Sequence, residues 1–234
     1  MSQSLHSYQK DKERPTSHNG QWGICPAKLG LYYVQVPLWR LKRSVSKPTA
    51  PNACDIDMTN KLFWSDPYLC TCETVVVSVS GVTVTLKDTV FYAFSGGQES
   101  DAGTISGHPV IRARKAGLNI EYELSANHGL QPGCPVRVEI DWDRRYNLMR
   151  LHFAAELVLE LVSRKLPGIE KIGAPIAADK ARIDFAWPAS IAHYLSETSA
   201  EAQAIIDQNL EIISAFSDES TQRRFWEVPG FARV

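Results

Sequence analysis

The 234-residue sequence predicts an α+β protein, in which a small antiparallel β-barrel is followed by a domain of helices on an antiparallel sheet. Two observations carry this prediction. Short alternating strands with tight turns follow one another from residue 61 to residue 142 with no helix between them, which is typical of a closed barrel. A long apolar stretch of helical length then begins at Asp141, and helices separated from antiparallel strands are typical of the α+β class.

Three regions are predicted from composition: a disordered or irregular basic extension over residues 1–57, a β-barrel domain with a Gly-rich loop over 58–141, and an α+β domain over 142–234. The extension is rich in Ser, Lys and Pro and carries a net charge of +4, against −5 for the remainder. Within it, only Leu29–Leu38 has the composition of a short strand. Any contact with nucleic acid must therefore rest on local basic patches.

The cellular location that the sequence predicts is the cytoplasm. No apolar run approaches the ~20 residues of a membrane span, so no membrane association is expected. The first residues lack the apolar segment of a secretory signal. The five cysteines are scattered and odd in number, so we expect them to be reduced thiols.

The barrel prediction begins with a β-hairpin. Thr74–Val79 is β-branched, Ser80–Gly81 supplies a turn, and Val82–Leu86 alternates between apolar and polar residues. A glycine-rich loop, Ser95–Gly103, interrupts the strands that follow. These further strands are predicted at Thr89–Phe94, Thr104–Ile105, Val110–Lys115, Ile120–Leu124 and Val136–Trp142.

The stretch Asp141–Ser163 predicts a helix that is buried on most sides, because apolar residues occupy all but one of its faces. The remaining face carries His152, Glu156, Glu160 and Ser163, which are spaced four, four and three residues apart. An imidazole and a carboxylate one turn apart can both bind a divalent cation. The alternative is that this stripe is only the wet side of a core helix.

The last seventy residues predict further α+β structure. Ala181–Phe185 has the pattern of a strand, and Thr198–Glu201 has that of a capping box. An amphipathic helix is expected behind the capping box, with Ala202, Ile205, Ile206, Leu210, Ile213 and Phe216 on one face. Strand pieces are predicted at Phe225–Val228 and Phe231–Val234.

Two segments together resemble one known family. Phe91–Gly103 reads F-Y-A-F-S-G-G-Q-E-S-D-A-G, which resembles the glycine-rich motif of AlaX-type alanyl-tRNA editing proteins and of the editing domain shared by threonyl- and alanyl-tRNA synthetases. Asp141–Arg145 with Leu148–His152 is similar to the stretch that begins that family's first metal motif. The resemblance covers about Met58 to Val234. It implies a zinc-dependent trans-editing hydrolase that deacylates alanine-specific tRNA mischarged with serine or glycine.

The resemblance also implies roles for individual residues. His152 stands where the family places its first zinc ligand, and Glu156 stands where the second histidine of H-x-x-x-H is normal. The amino-acid pocket would be shaped by the segment that contains Thr89, Gly96, Gly97 and Gln98, with Asp101 and Gly103 as turn residues.

The tRNA would be held by basic side chains that contact phosphates. Ordinary solvated charge is the alternative for each of them, and two adjacent arginines could instead pair with Asp141 and Asp143. The candidates are Arg112, Arg114, Lys115, Arg144, Arg145 and Arg150.

The sequence departs from the family pattern at the metal site. A carboxylate in place of the second histidine lowers the net charge of the site and makes zinc a weaker Lewis acid. The family's C-x-x-x-H motif, which supplies the other ligands, would follow Val234 and is not in this sequence. We therefore expect an incomplete metal site in the chain as given, and an inactive hydrolase is one outcome of that loss. The alternatives are a non-catalytic tRNA-binding module derived from the editing domain and a product without function.

Overall fold

A computed structural model of the chain describes residues 31–33, 58–218, 223–228 and 231–233. Fifteen strands, two α-helices and a one-turn 3-10 helix are present in these residues. In chain order they are β1 (Leu31–Tyr33), β2 (Asn60–Lys61), the 3-10 helix (Leu62–Trp64), β3 (Thr71–Ser80), β4 (Thr83–Leu86), β5 (Asp88–Thr89), β6 (Gly103–Ile105), β7 (His108–Pro109), β8 (Arg112–Ala116), β9 (Asn119–Glu123), β10 (Pro135–Ile140), α1 (Trp142–Lys165), β11 (Glu170–Gly173), β12 (Asp184–Ala186), α2 (Ala192–Asp207), β13 (Ile213–Asp218), β14 (Arg223–Val228) and β15 (Ala232–Arg233).

Seven strands form one antiparallel sheet in the order β7-β6-β10-β3-β4-β9-β8. The sheet curls into a half-barrel around a core that includes Val84, Phe91, Tyr122 and Val138. Within the described residues the edge strands β7 and β8 are not paired with each other. The α+β class is confirmed, but the prediction of a closed barrel is wrong because the sheet remains open between these two strands.

The predicted hairpin is confirmed in β3 and β4, whose register pairs Ser80 with Thr83 and Val79 with Val84. The predicted strand Thr89–Phe94 is largely absent. Only Asp88–Thr89 forms β5, and it pairs in parallel with β2. The chain then enters the half-barrel core, where Val90 and Phe91 are fully buried. Their apolar character, which predicted a strand, serves burial in an irregular segment.

The predicted long helix is confirmed in α1. Asp141 is its N-cap, and its carboxylate accepts a hydrogen bond from Arg144 N at 3.1 Å. One side of α1 packs against β12 and α2 through a cluster that includes Leu151 and Val158, and another packs against Ala202 of α2. Burial on two sides leaves a narrow polar stripe, as the sequence predicted.

The predicted capping box at Thr198 is wrong, because α2 begins six residues earlier at Ala192. Thr198 lies in the middle of the helix and is buried against the helix's neighbours. The helix also ends at Asp207, and the chain from Ile213 to Asp218 forms β13, which pairs with β14. The apolar residues Ile213 and Phe216 are three apart, which fits a helical period, but this part of the chain pairs with β14 as a strand instead.

Residues Leu31–Tyr33 form a strand that pairs with β12, in agreement with the predicted strand in Leu29–Leu38. The remainder of the predicted extension, residues 1–30 and 34–57, lies outside the described residues. Neither α1 nor α2 carries an apolar stretch that would allow it to cross a bilayer.

Candidate active site

The glycine-rich loop makes a tight turn from Ser95 to Gln98. Ser95 N donates to Gln98 O at 3.3 Å and Gln98 N donates to Ser95 O at 3.0 Å. The two central residues, Gly96 and Gly97, have φ angles of +61° and +88°. Side-chain-bearing residues adopt these angles with strain, so the turn requires glycine at both positions.

The turn is fixed to the chain segment that precedes Ala181. Ile176 N donates to Gly97 O at 3.0 Å, and Glu99 N donates to Ile176 O at 2.9 Å. A Cβ atom at Gly97 would lie 2.9 Å from Ala174 O, closer than backbone and side chain normally approach. Gly97 therefore allows the loop to rest directly on the backbone of this segment.

The side chain of Gln98 connects the loop to α1. It is 8% exposed, and its Oε1 lies 2.5 Å from His152 Nδ1. An amide oxygen only accepts hydrogen bonds, so Nδ1 carries the proton and Nε2 keeps its lone pair in the neutral ring. Nε2 faces Glu156 Oε1 at 3.7 Å, one turn further along α1. His152 of the predicted pair therefore contacts the loop through Gln98, and the pair is not directed only at bulk solvent.

The electrostatic surroundings favour a neutral imidazole. Burial lowers the pKa of His152, the Glu156 carboxylate raises it, and the Lys171 ammonium lowers it, with a net lowering. Lys171 Nζ also lies 4.0 Å from Glu156 Oε1, so the carboxylate has a second cationic neighbour. The polar group of the site is therefore Gln98, His152, Glu156 and Lys171.

A buried ion pair holds the loop to the start of α1. Arg145 Nε and Nη2 donate to the Asp101 carboxylate at 2.9 and 2.5 Å, and both side chains are almost completely buried. Asp101 Oδ2 also accepts from Tyr92 N at 2.7 Å, and Arg145 donates to the carbonyls of Val90 and Pro67. The pair therefore joins both ends of the loop to the helix that carries His152.

A cavity of about 550 Å³ borders the loop on the side of Gly97 and Glu99. Its other walls are Phe94, the segment Pro175–Ala177 and the basic residues Lys180 and Arg182. His152 and Glu156 are not among its lining residues. The hollow beside Gly97 is large enough for part of a nucleotide, whereas His152 contacts the loop outside the wall of this cavity.

Comparison with known proteins gives relatives of two kinds. An alanyl-tRNA editing protein AlaX-M of Methanosarcina mazei is 31% identical over 205 residues, which cover 74% of this chain and 81% of the relative. AlaX-M of Pyrococcus horikoshii is 29% identical over 160 residues, covering 67% of this chain and 74% of the relative. The chain belongs to the alanyl-tRNA editing protein family.

The second kind of relative is a full-length synthetase. The alanine–tRNA ligase of Staphylothermus marinus is 35% identical over 181 residues, which are 75% of this chain but only 19% of the ligase. The chain thus spans about a fifth of the ligase and most of the editing proteins. No family model matches the chain.

Thr89, which the resemblance placed in the amino-acid pocket of the family, is fully buried. Its hydroxyl accepts from Phe91 N at 3.0 Å and from the Tyr122 hydroxyl at 2.7 Å. Burial raises the pKa of Tyr122, which keeps its phenol protonated as a donor. The structure therefore buries Thr89 against Phe91 and Tyr122, and it brings Gly96, Gly97 and Gln98 together in the turn.

The five arginines predicted to contact the tRNA lie in different surroundings. Arg112 and Arg114 lie on the edge strand β8 and are largely exposed, each beside a glutamate of β9. Arg144 is partly buried, and donates to Glu99 and to the carbonyl of Ser100. Arg150 is half-buried over the Tyr146 ring. The fifth, Arg145, is removed from the predicted set because its guanidinium is buried and bonded on all sides.

Sequence reasoning missed the Asp101–Arg145 pair. It assigned Asp101 to a turn and offered Asp141 and Asp143 as partners for the arginines, whereas the partners found lie 44 and 45 residues away. Gly103 is likewise not a turn residue. It begins β6, where a Cβ would clash with Glu139 O. Contacts of this range leave no periodicity in a sequence, so only the fold reveals them.

Proposed function

We propose that the protein is a trans-editing hydrolase that removes serine or glycine wrongly attached to alanine-specific tRNA. Its family membership supports a role in alanyl-tRNA editing. The observation that carries the catalytic assignment is the contact of Gln98 on the glycine-rich loop with His152 on α1. This contact brings the family's two motifs, 54 residues apart in sequence, into one polar site.

The reaction is the hydrolysis of an aminoacyl ester. Water attacks the carbonyl carbon, the bond to the ribose oxygen breaks, and a proton passes from the water to that oxygen. His152 Nε2 and Glu156 Oε1 are two acceptors 3.7 Å apart, a spacing at which both can bind one water molecule. Gln98 fixes the imidazole in the tautomer that leaves Nε2 as an acceptor. Gly96 and Gly97 would form the wall against which the amino acid lies.

Zinc is the cofactor that we propose for this pair. The spacing of Nε2 and Oε1 suits two ligands of one ion, and the hydrogen bond from Nδ1 to Gln98 is of the kind that orients ligand imidazoles. In the described parts of the chain, however, no three His, Cys, Asp or Glu side chains are grouped to hold a metal, and catalytic zinc usually has three protein ligands. A bound zinc ion would polarise the ester or activate water.

The tRNA is expected to lie across the exposed arginines of β8. Arg112 and Arg114 project from the same edge strand of the half-barrel. Phe94, which lies outside the strands, forms an isolated parallel β-bridge with Arg114. The Gly-rich loop follows directly after Phe94. Phosphates of the acceptor arm could therefore rest on β8 while the 3′ end reaches the loop.

Deacylation assays test the proposal. Alanine-specific tRNA would be charged separately with radiolabelled serine, glycine and alanine, and the release of each amino acid measured with and without the protein. We expect faster release of serine or glycine than of alanine. Binding of the tRNA with no acceleration of any of the three hydrolyses would instead indicate a non-catalytic binding module.

A further inference from the structure

A second, smaller cavity of about 150 Å³ lies on the other flank of the glycine-rich loop. Three aromatic residues line it, Phe63, Trp64 and Tyr92, and the Phe63 ring lies edge-on to the other two at 6.0 and 5.6 Å. The remaining lining residues are Lys61, Ala93, Ser95, Lys115 and Ile120. The cavity is therefore walled by aromatic rings and two lysines, and none of its lining residues is acidic.

Lys61 is an unusual residue in this wall because it is only 6% exposed. Its ammonium donates to Leu118 O at 2.8 Å and lies 4.5 Å from the centre of the Trp64 ring. In the described part of the chain it makes no ion pair. A buried cation without a counter-charge is unfavourable, and its burial and the Lys115 ammonium both lower the pKa of Lys61. An anion bound in the cavity would supply the missing counter-charge to the buried Lys61 ammonium and would offset its repulsion by the Lys115 ammonium.

The cavity borders the turn that carries Gln98 of the candidate active site. Ser95, which lines it, begins the turn that ends at Gln98, and a turn of four residues brings its first and last Cα atoms within about 7 Å. The Tyr92 hydroxyl donates to Ser95 O at 3.2 Å, so the aromatic wall is hydrogen-bonded to the turn. A ligand in the cavity would thus lie within one or two nucleotides of a substrate at Gln98.

We propose that this cavity binds a backbone phosphate of the single-stranded 3′ end of the tRNA, through Lys61 and Lys115, with the adjoining base against the Trp64 ring. The identity of the RNA rests on the proposed function, whereas the binding site itself rests on the two lysines and the aromatic rings. Single-stranded RNA is commonly held by this combination of cations for phosphates and aromatic faces for bases. The arrangement would fix the acceptor end so that its ester reaches the loop.

Binding of RNA measured against salt tests the inference. The ligand would be a fluorescein-labelled single-stranded RNA with the 3′ sequence of alanine-specific tRNA, titrated by fluorescence anisotropy at several salt concentrations. The variants are Lys61→Met and Lys115→Met, with Lys87→Met as the control because Lys87 is exposed and does not line the cavity. Each lost phosphate contact should weaken binding about tenfold and make the slope of log K against log salt shallower by about 0.7.

The two lysine variants are expected to show these changes, and Lys87→Met is expected to bind as the wild type does. In deacylation assays both lysine variants should raise KM. If Lys61→Met fails to fold, the test depends on Lys115→Met, because Lys115 is exposed and its replacement should not affect folding. Unchanged affinity and slope in Lys115→Met, or in a folded Lys61→Met, would overturn the inference even in an active hydrolase. A wild type that binds the RNA through these lysines but hydrolyses no ester would support the cavity and overturn the proposed function.

Discussion

Replacing Asp101 by Asn removes the negative charge from the buried pair that fixes the loop to α1. Asn keeps the size of the side chain, so the change leaves the Arg145 guanidinium buried without its counter-charge. Both side chains are almost fully buried, and Arg145 makes two hydrogen bonds to this carboxylate. Breaking such a buried pair costs about 3–5 kcal/mol.

For a chain of this size, each kcal/mol shifts the melting temperature by about 2–4 °C. Asp101→Asn is therefore expected to lower the melting temperature by about 6–20 °C, as measured by differential scanning calorimetry and checked by urea unfolding. The matched control is Glu99→Gln, two residues earlier. Its carboxylate pairs with the adjacent Arg144, but Glu99 is 44% exposed, and such pairs contribute at most about 1 kcal/mol.

The same variant should also reduce activity below its unfolding temperature, because the loop that carries Gln98 would lose its anchor to the helix that carries His152. The reasoning is refuted if Asp101→Asn is destabilised by less than about 1 kcal/mol, or by no more than Glu99→Gln. Such a result would mean that the loop is held in place by its backbone hydrogen bonds to Ile176 and not by the ion pair.

Two further predictions concern the loop and the metal. Gly97→Ala should lower the rate of deacylation at least about tenfold, because its methyl group meets Ala174 O in addition to the strain of a positive φ. Gly96→Ala carries the strain of its positive φ but meets no neighbouring atom of the described residues, so it should lose less activity than Gly97→Ala. Equal rates for the two variants would contradict this. Glu156→Ala should lower zinc affinity about tenfold or more, as measured by elemental analysis after dialysis against buffered zinc. The control Glu160→Ala should leave zinc affinity unchanged, because the carboxylate of Glu160 pairs with Arg164. A wild type that retains no zinc would refute the zinc proposal.

The sequence was most informative where local physics decides structure. The spacing of apolar residues predicted α1 to within a few residues, and Asp141 is its N-cap because an aspartate there satisfies a free backbone N–H. The β3–β4 hairpin followed from alternation and a glycine turn. The contact between the loop and His152 could be expected only from the family resemblance, since the two motifs are 54 residues apart.

Prediction failed where distant contacts decided the outcome. The apolar run around Phe91 was read as a strand, but the half-barrel core takes up its side chains without a strand partner. The helical period around Ile213 was overridden by pairing with β14. Arg145 looked like a surface cation because its partner Asp101 is remote in sequence. In each case the residue type was compatible with two environments.

The release of serine from mischarged alanine-specific tRNA by His152→Ala, compared with the wild type and Glu160→Ala, tests the central claim most directly. His152 touches the loop through Gln98, whereas Glu160 lies on the same face of α1 but pairs with Arg164. We predict that the wild type and Glu160→Ala hydrolyse the ester at rates within about twofold of each other. We predict that His152→Ala is slower by ~100-fold or more, because the zinc ion or the attacking water would lose the imidazole that holds it. Equal rates for His152→Ala and the wild type would contradict the assignment of this site.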